Sequence, residues 1–158
     1  MKKVFLTVLA IIFLGASCNV SKPAEEKIPY TDGQINMAGR SISFELADTV
    51  AAKARGLSGR AAIEENQGML FMFPAADFPV FWMKDMNFPI DIIWIKADEI
   101  VDISLEAQPE PGVDDNNLKT FTPKIPADRV LEVKSGWATR NNLKTGDKVE
   151  IVQTIHSN

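Results

Sequence analysis

The chain has 158 residues, with 21 acidic against 17 basic side chains for a net charge of −4, a single cysteine and a single histidine. An acid excess with no basic stripe argues against nucleic acid as a partner, because phosphate binding needs clustered Lys and Arg. One cysteine excludes an intrachain disulfide. The lone His156, third from the end, leaves no Ser-His-Asp, Cys-His or histidine-based zinc set in the body of the chain.

The first residues give an address. Lys2 and Lys3 precede an apolar run over residues 4–14 that only Thr7 interrupts, and Gly15, Ala16 and Ser17 lead into Cys18. A positive start, a short apolar run and small residues make a secretory signal, too short for a membrane span. A solitary cysteine directly after it is similar to a bacterial lipoprotein signal, in which the thiol is acylated and becomes the new N-terminus. The alternative is an ordinary cleaved signal with an incidental cysteine. Removing residues 1–17, with two lysines and no acid, leaves 141 residues and takes the net charge from −4 to −6. That length suits one domain with a real core. Residues 18–33 are polar, carry two prolines and lack periodicity, as a tether between lipid and domain would. The expected organisation is a signal peptide at 1–17, a lipid-anchored tether at 18–33 and a single β-rich domain at 34–155.

From there the pattern is one of short strands. "SISFEL" alternates, with Ile42, Phe44 and Leu46 on one face. "DTVAAKAR" begins with a capping Asp48 or Thr49 and stops at Gly56, which predicts a helix. "SGRAAI" suggests a second helical turn. "GMLFMF" reads as a buried strand ending at Pro74. "VFWMK" and "IDIIWI" read as strands on either side of a "DMNFP" turn. "KADE" predicts a hairpin into "IVDISLEA", and residues 108–117 form a proline- and acid-rich loop. "RVLEV" is a further strand, "GWATRNNL" a short helix, and "KTGDKVEIV" a turn with a closing strand. Seven or eight short strands with two small helices predict a mainly β fold, α+β by count, built as a compact β-sandwich or barrel.

One stretch is unusual: "FWMKDMNFPIDIIWI" places Lys84, Asp85 and Asp91 within the most apolar part of the chain. If "IDIIWI" is a strand, Asp91 shares a face with Ile93 and Ile95, opposite Ile90, Ile92 and Trp94. A buried unpaired charge costs several kcal/mol. These charges therefore stand at a wet sheet rim, pair with one another, or form a functional cluster at a pocket mouth. Lys84, Asp91, Arg55 and Glu132 are the candidates, and Asp91 is expected to pair with Lys84 or Arg55. Methionines suit Cu(I). On a strand, however, Met69 and Met72 point to opposite faces, and methionine fills core gaps readily. No metal or cofactor is expected.

The blocks "ARGLSGR", "GMLFMF", "FWMKDMNFPIDIIWI", "VLEVKSGW" and "TGDKV", in this order, resemble the family called domain of unknown function 192 (DUF192), from about residue 34 to 152. Asp85 and Met86 stand where that family's central block usually has Asn-Thr. The resemblance implies a compact β-rich fold, often exported or membrane-attached in bacteria, and no particular activity. It points to Arg55, Gly56, Arg60, Gly68, Met69, Trp82, Met83, Lys84, Pro89, Asp91, Glu132 and Gly136. Of these, Arg55, Arg60, Met69, Trp82, Met83, Lys84, Asp91 and Glu132 are the candidate binding or polar cluster, with Cys18 the lipidation site and no residue assigned to catalysis.

The expected function is a non-enzymatic module held on the bacterial cell envelope, periplasmic or surface-facing. Its partners would be the membrane, through the N-terminal lipid, and an unknown small molecule or envelope protein, but no nucleic acid. The alternative is a carboxylate-based hydrolase or lyase acting on a cell-envelope carbohydrate, with Asp91 or Glu132 as acid or base.

Overall fold

The structure, a computed structural model, describes residues 32–153. The expected signal peptide, Cys18, the tether up to residue 31 and His156 lie outside the described residues. Within them the chain forms nine strands and two short α-helices: β1 (Asp32–Met37), β2 (Arg40–Ala47), α1 (Val50–Arg55), β3 (Gln67–Asp77), β4 (Phe81–Trp82), β5 (Ile90–Lys96), β6 (Glu99–Ala107), β7 (Thr120–Phe121), β8 (Ala127–Lys134), α2 (Trp137–Arg140) and β9 (Val149–Gln153). A 3-10 turn, Asp115–Asn117, sits in the acidic loop.

Seven strands make one sheet in the order β6-β5-β8-β3-β2-β1-β9, while β4 and β7 pair as a separate ribbon. Pairing is antiparallel except between β2 and β3, which α1 and its following loop connect. The sheet curls until its edges meet. The Ile100 N–H donates to the Asp147 carbonyl at 3.0 Å, and the Gly146 N–H donates to the Ile100 carbonyl at 2.9 Å. Glu99 bridges Lys148 just before β9. Closure of this kind removes exposed strand edges, which are aggregation hazards. The β-rich fold with two short helices is the one the alternating pattern predicts.

Two apolar layers hold the sheet, one on each face. Ile35, Ile42, Phe44, Leu70, Ile93, Leu131 and Val133 fill the inside. Met69, Phe71, Ile92, Trp94 and Val130 form the outer layer, covered by Ala52, Leu57, Ile63 and Met83. Each fully buried large aliphatic contributes about 1.5–3 kcal/mol relative to exposure. Met69 and Met72 do part to opposite layers.

Local expectations fail in four places. β1 begins at Asp32, inside the stretch read as tether, because β2 and β9 flank it on both sides. β3 runs past Pro74 to Asp77, since its register with β8 shifts between Met72 and Asp77 and the ladder makes no demand there for the amide that proline lacks. "VFWMK" yields only the two residues of β4, outside the main sheet. "SGRAAI" forms no helix.

Candidate functional site

Among the described residues of the outer layer, one buried ionisable group has an oxygen without a hydrogen-bond partner. Glu132 lies in a lateral row across the sheet: it pairs with Met69 on β3 and Ile92 on β5, and Met69 pairs in turn with Glu45 on β2. Paired residues project to the same face, so the Glu132 carboxyl rises into the outer layer beneath the end of α1. Only 6% of Glu132 is exposed, and its Oε2 atom has no hydrogen-bond partner. Burial pushes the Glu132 pKa up to about 8, against the opposing pull of Arg60, so the neutral acid dominates at pH 7.

Space over the carboxyl is kept by backbone choices. α1 is started by Thr49, whose Oγ1 accepts from the Ala52 N–H at 3.1 Å, and ended by Gly56 at φ 51°, ψ −136°. That conformation belongs to glycine. A Cβ at Gly56 would lie 3.5 Å from the Phe71 ring and 4.0 Å from Glu132 Oε2, at the roof of the site. On the inner face of the sheet, opposite the carboxyl, a Cβ on Gly68 would stand 2.9 Å from the Glu132 carbonyl oxygen and from a Leu131 methyl, so only glycine lets β3 approach β8 there. The result is a cleft of about 220 Å³ walled by Phe71, Phe73, Phe81 and Trp82, with Lys53 and Arg55 on the α1 side and Glu132 at its base. Phe81 packs edge-on against Phe71, 4.9 Å between centroids, and against Trp94 at 5.5 Å. Lys53 Nζ lies 5.0 Å from the Phe73 centroid, within cation–π range.

The loop blocks that roof this layer are laced to each other. Ser58 Oγ donates to the Lys84 carbonyl at 2.8 Å, and the Gly59 N–H donates to the Asp85 carbonyl at 2.8 Å. Asn87 Nδ2 donates to the Arg60 carbonyl at 2.9 Å. Asp85 takes φ 55°, a left-handed conformation that Asp and Asn both tolerate, so Asp where the family usually has Asn keeps the turn. Arg60 forks onto Glu45, with both nitrogen–oxygen distances 2.7 Å. Lys84 pairs with Asp115, whose hydrogen bond and charge raise the lysine pKa, and its Nζ lies 5.7 Å from the Trp82 centroid.

The expected cluster is therefore divided. Arg55, Trp82 and Glu132 line the cleft, Arg60 and Lys84 stand close by, and Met69 and Met83 are core beneath the roof. Asp91 is elsewhere, on the inner face of β5. The expected pairing of Asp91 with Lys84 or Arg55 is wrong. Asp91 is fully buried, and among the described residues it forms no ion pair. Instead its Oδ1 accepts from the Glu106 N–H at 2.9 Å and its Oδ2 from the Ala138 N–H at 3.0 Å. The physical reason is local. β6 bulges opposite Asp91, since Ile90 pairs with Ala107 but Ile92 with Ser104, and Glu106 adopts φ 52°. The bulge turns one N–H inward, and α2 starts at a glycine with no side-chain cap. Asp91 satisfies both donors, one on the neighbouring strand β6 and one at the start of α2. The cleft walls Lys53, Phe71, Phe73 and Phe81 were absent from the expected set. Phe73 was findable, because Met69, Phe71 and Phe73 share the period-2 face of "GMLFMF".

Among the described residues no group of three or more His, Cys, Asp or Glu is placed to hold a metal ion, and no helix is long and apolar enough to cross a membrane.

Fold and site together define a curled β-barrel domain whose outer face carries a helix-roofed cleft over a buried acid. The chain belongs to the DUF192 family, described as "Uncharacterized ACR", which it matches over residues 31–151. A search of curated proteins finds no match. Two solved structures are similar. One is described as a proposed transcription regulator from Sinorhizobium meliloti, 25% identical, with a TM-score of 0.70 over 79% of this chain and 97% of that one. The other is a protein of unknown function from Novosphingobium aromaticivorans, 29% identical, with a TM-score of 0.67 over 83% of this chain and 94% of that one.

Proposed function

We propose that this is a lipid-anchored domain of the bacterial cell envelope that binds a small, largely apolar ligand in the cleft over Glu132. The observation that carries the reading is the unpartnered Glu132 Oε2 at the base of an aromatic-walled cleft. A buried polar atom without a partner costs about 1–3 kcal/mol, a cost that a ligand hydroxyl, carbonyl or amine reaching the carboxyl would offset. Concave apolar walls with one or two convergent polar groups are the usual form of a small-molecule site.

Binding is favoured over glycoside hydrolysis because the described lining of this cleft holds a single carboxylate, where that chemistry uses two. The acid excess of the chain speaks against nucleic acid as the occupant, whatever the Sinorhizobium relative does. The anchor rests on the lipoprotein-like signal ending at Cys18.

Native mass spectrometry of the protein purified from the envelope tests the cleft. A retained adduct that disappears in Glu132→Gln, with the fold intact by circular dichroism, is the expected outcome. An adduct equally strong in the variant places the ligand elsewhere, and no adduct in either refutes retention of a ligand at this site. For the anchor, Cys18→Ser should move the protein from the membrane to the soluble fraction. Unmodified protein remaining on the membrane would overturn it.

A further inference from the structure

Next to the cleft lies an apolar surface that the fold leaves in water. Val50 at the start of α1 is 87% exposed, Val80 64% and Trp82 49%, and Phe78 is exposed beside them in sequence. Val80 and Trp82 line the cleft opposite Lys53 and the adjoining turn of α1, and Phe78 and Val50 flank that lining, two residues before Val80 and one helical turn before Lys53. Scattered apolar residues need no explanation, but a contiguous group does.

The position of this rim of the cleft relative to the tether suggests its occupant. The chain enters the described domain at Asp32, which pairs with Glu45 on β2. β2 continues only to Ala47 before Thr49 caps α1 and Val50 opens it. The entry point and the exposed start of α1 are thus near neighbours. Between Cys18 and Asp32 lie residues 19–31, which reach about 45 Å at full extension. A lipid on Cys18 therefore keeps the rim within reach of the bilayer on the side where the tether enters. The rim also has the chemistry of a membrane interface. Trp82 carries the Lys84 ammonium 5.7 Å from its centroid, and Lys53 lies over Phe73 at 5.0 Å. An aromatic ring with lysine alongside suits the headgroup layer, where the ring meets the acyl boundary and the ammonium meets phosphates.

We propose that the Val50–Phe78–Val80–Trp82 rim docks on the lipid surface that holds the Cys18 anchor, so that the cleft opens at the membrane interface. This rests on the anchor half of the proposed function and is independent of whether the cleft holds a ligand. Docking would be intramolecular once the lipid is inserted, so a modest apolar contact suffices at the high effective concentration that a short tether imposes.

Trp82 provides the readout, since Trp94 and Trp137 are both buried. The acylated full-length protein is incorporated into vesicles of phosphatidylethanolamine and phosphatidylglycerol whose acyl chains carry bromine. The expected result is loss of the Trp82 share of the emission, with protection from aqueous acrylamide. The quenching should vanish in Trp82→Phe and weaken in the exposed-site variants Phe78→Ser and Val80→Ser, while all three remain vesicle-bound through the lipid. Vesicle-bound protein whose Trp82 is open to acrylamide and untouched by bromine overturns the docking and leaves the anchor standing. Failure to partition with vesicles overturns the anchor, and the docking with it. If soluble Cys18→Ser protein is dimeric by sedimentation with Trp82 already shielded, a second copy is the occupant and the proposal is wrong.

Discussion

Asp91 and Glu132 stand on neighbouring strands, both buried, and they face opposite sides of one sheet. Asp91 looks into the barrel and meets two backbone N–H groups, from Glu106 and Ala138. Glu132 looks outward under Gly56 and has an oxygen with no partner. One carboxyl completes the backbone hydrogen-bonding of its surroundings, while the other is kept in a space the fold leaves open. Burial alone therefore says little about an acid's role, and the partners decide it.

The largest expected effect belongs to the satisfied side. Asp91→Ala removes the acceptor for two buried amides, which should destabilise the domain by about 2–6 kcal/mol at about 1–3 for each stranded group. Denaturant unfolding measures this. A loss under about 1 kcal/mol would mean the bulge and α2 find other acceptors and would dissolve the contrast.

Glu132 should behave in the opposite sense. Its ordinary pKa of 4.5 rises to about 8 in the folded state. Between these values the unfolded chain gives up the proton while the folded chain holds it, so stability falls as pH rises through that window and levels off above it. Glu132→Gln mimics the neutral acid and should abolish the slope. The variant should match the wild type near pH 4.5 and exceed it by about 2–4 kcal/mol at pH 8. Melting curves across that range test this, and a variant less stable at pH 8 would show that Glu132 carries a stabilising charge instead.

A smaller change sharpens the same point. Arg60→Ala breaks the half-buried fork onto Glu45, at a cost of about 1 kcal/mol. It also removes the one attraction that holds the Glu132 pKa down. The pH-dependent loss of stability should then extend to higher pH than in the wild type, and an unmoved profile would uncouple the two residues.

Much of the architecture was legible because period-2 alternation survives folding. "SISFEL", "IDIIWI" and "RVLEV" are strands, Thr49 caps α1, and the hairpin at "KADE" joins β5 to β6. That Asp91 shares a face with Ile93 and Ile95 could be read, though not that this face points into the barrel. The partners of Asp91 could not, because they come from a bulge and from a helix start 47 positions away. Lys84 was the natural choice by proximity in sequence, yet it reaches Asp115 in the acidic loop. Glu132 could be named from "VLEV", but its isolation depends on the glycine at 56 and on strands arriving from distant parts of the chain. Local pattern encodes faces; unsatisfied groups are a property of assembled neighbours.

The pairing of β1 with β9 sets Gly33 opposite Gln153. The first strand of the described domain is thus completed by its last, so the β1–β2 and β5–β6 hairpins can form early but the ring of strands cannot close until the end. Such long sequence separation slows folding, since distant segments must meet before their contacts are gained. A half-synthesised chain would have an open sheet with no ninth strand to cover β1. The barrel should close only when the full length is free, which suits a chain threaded across a membrane before it completes its fold, as the proposed export requires.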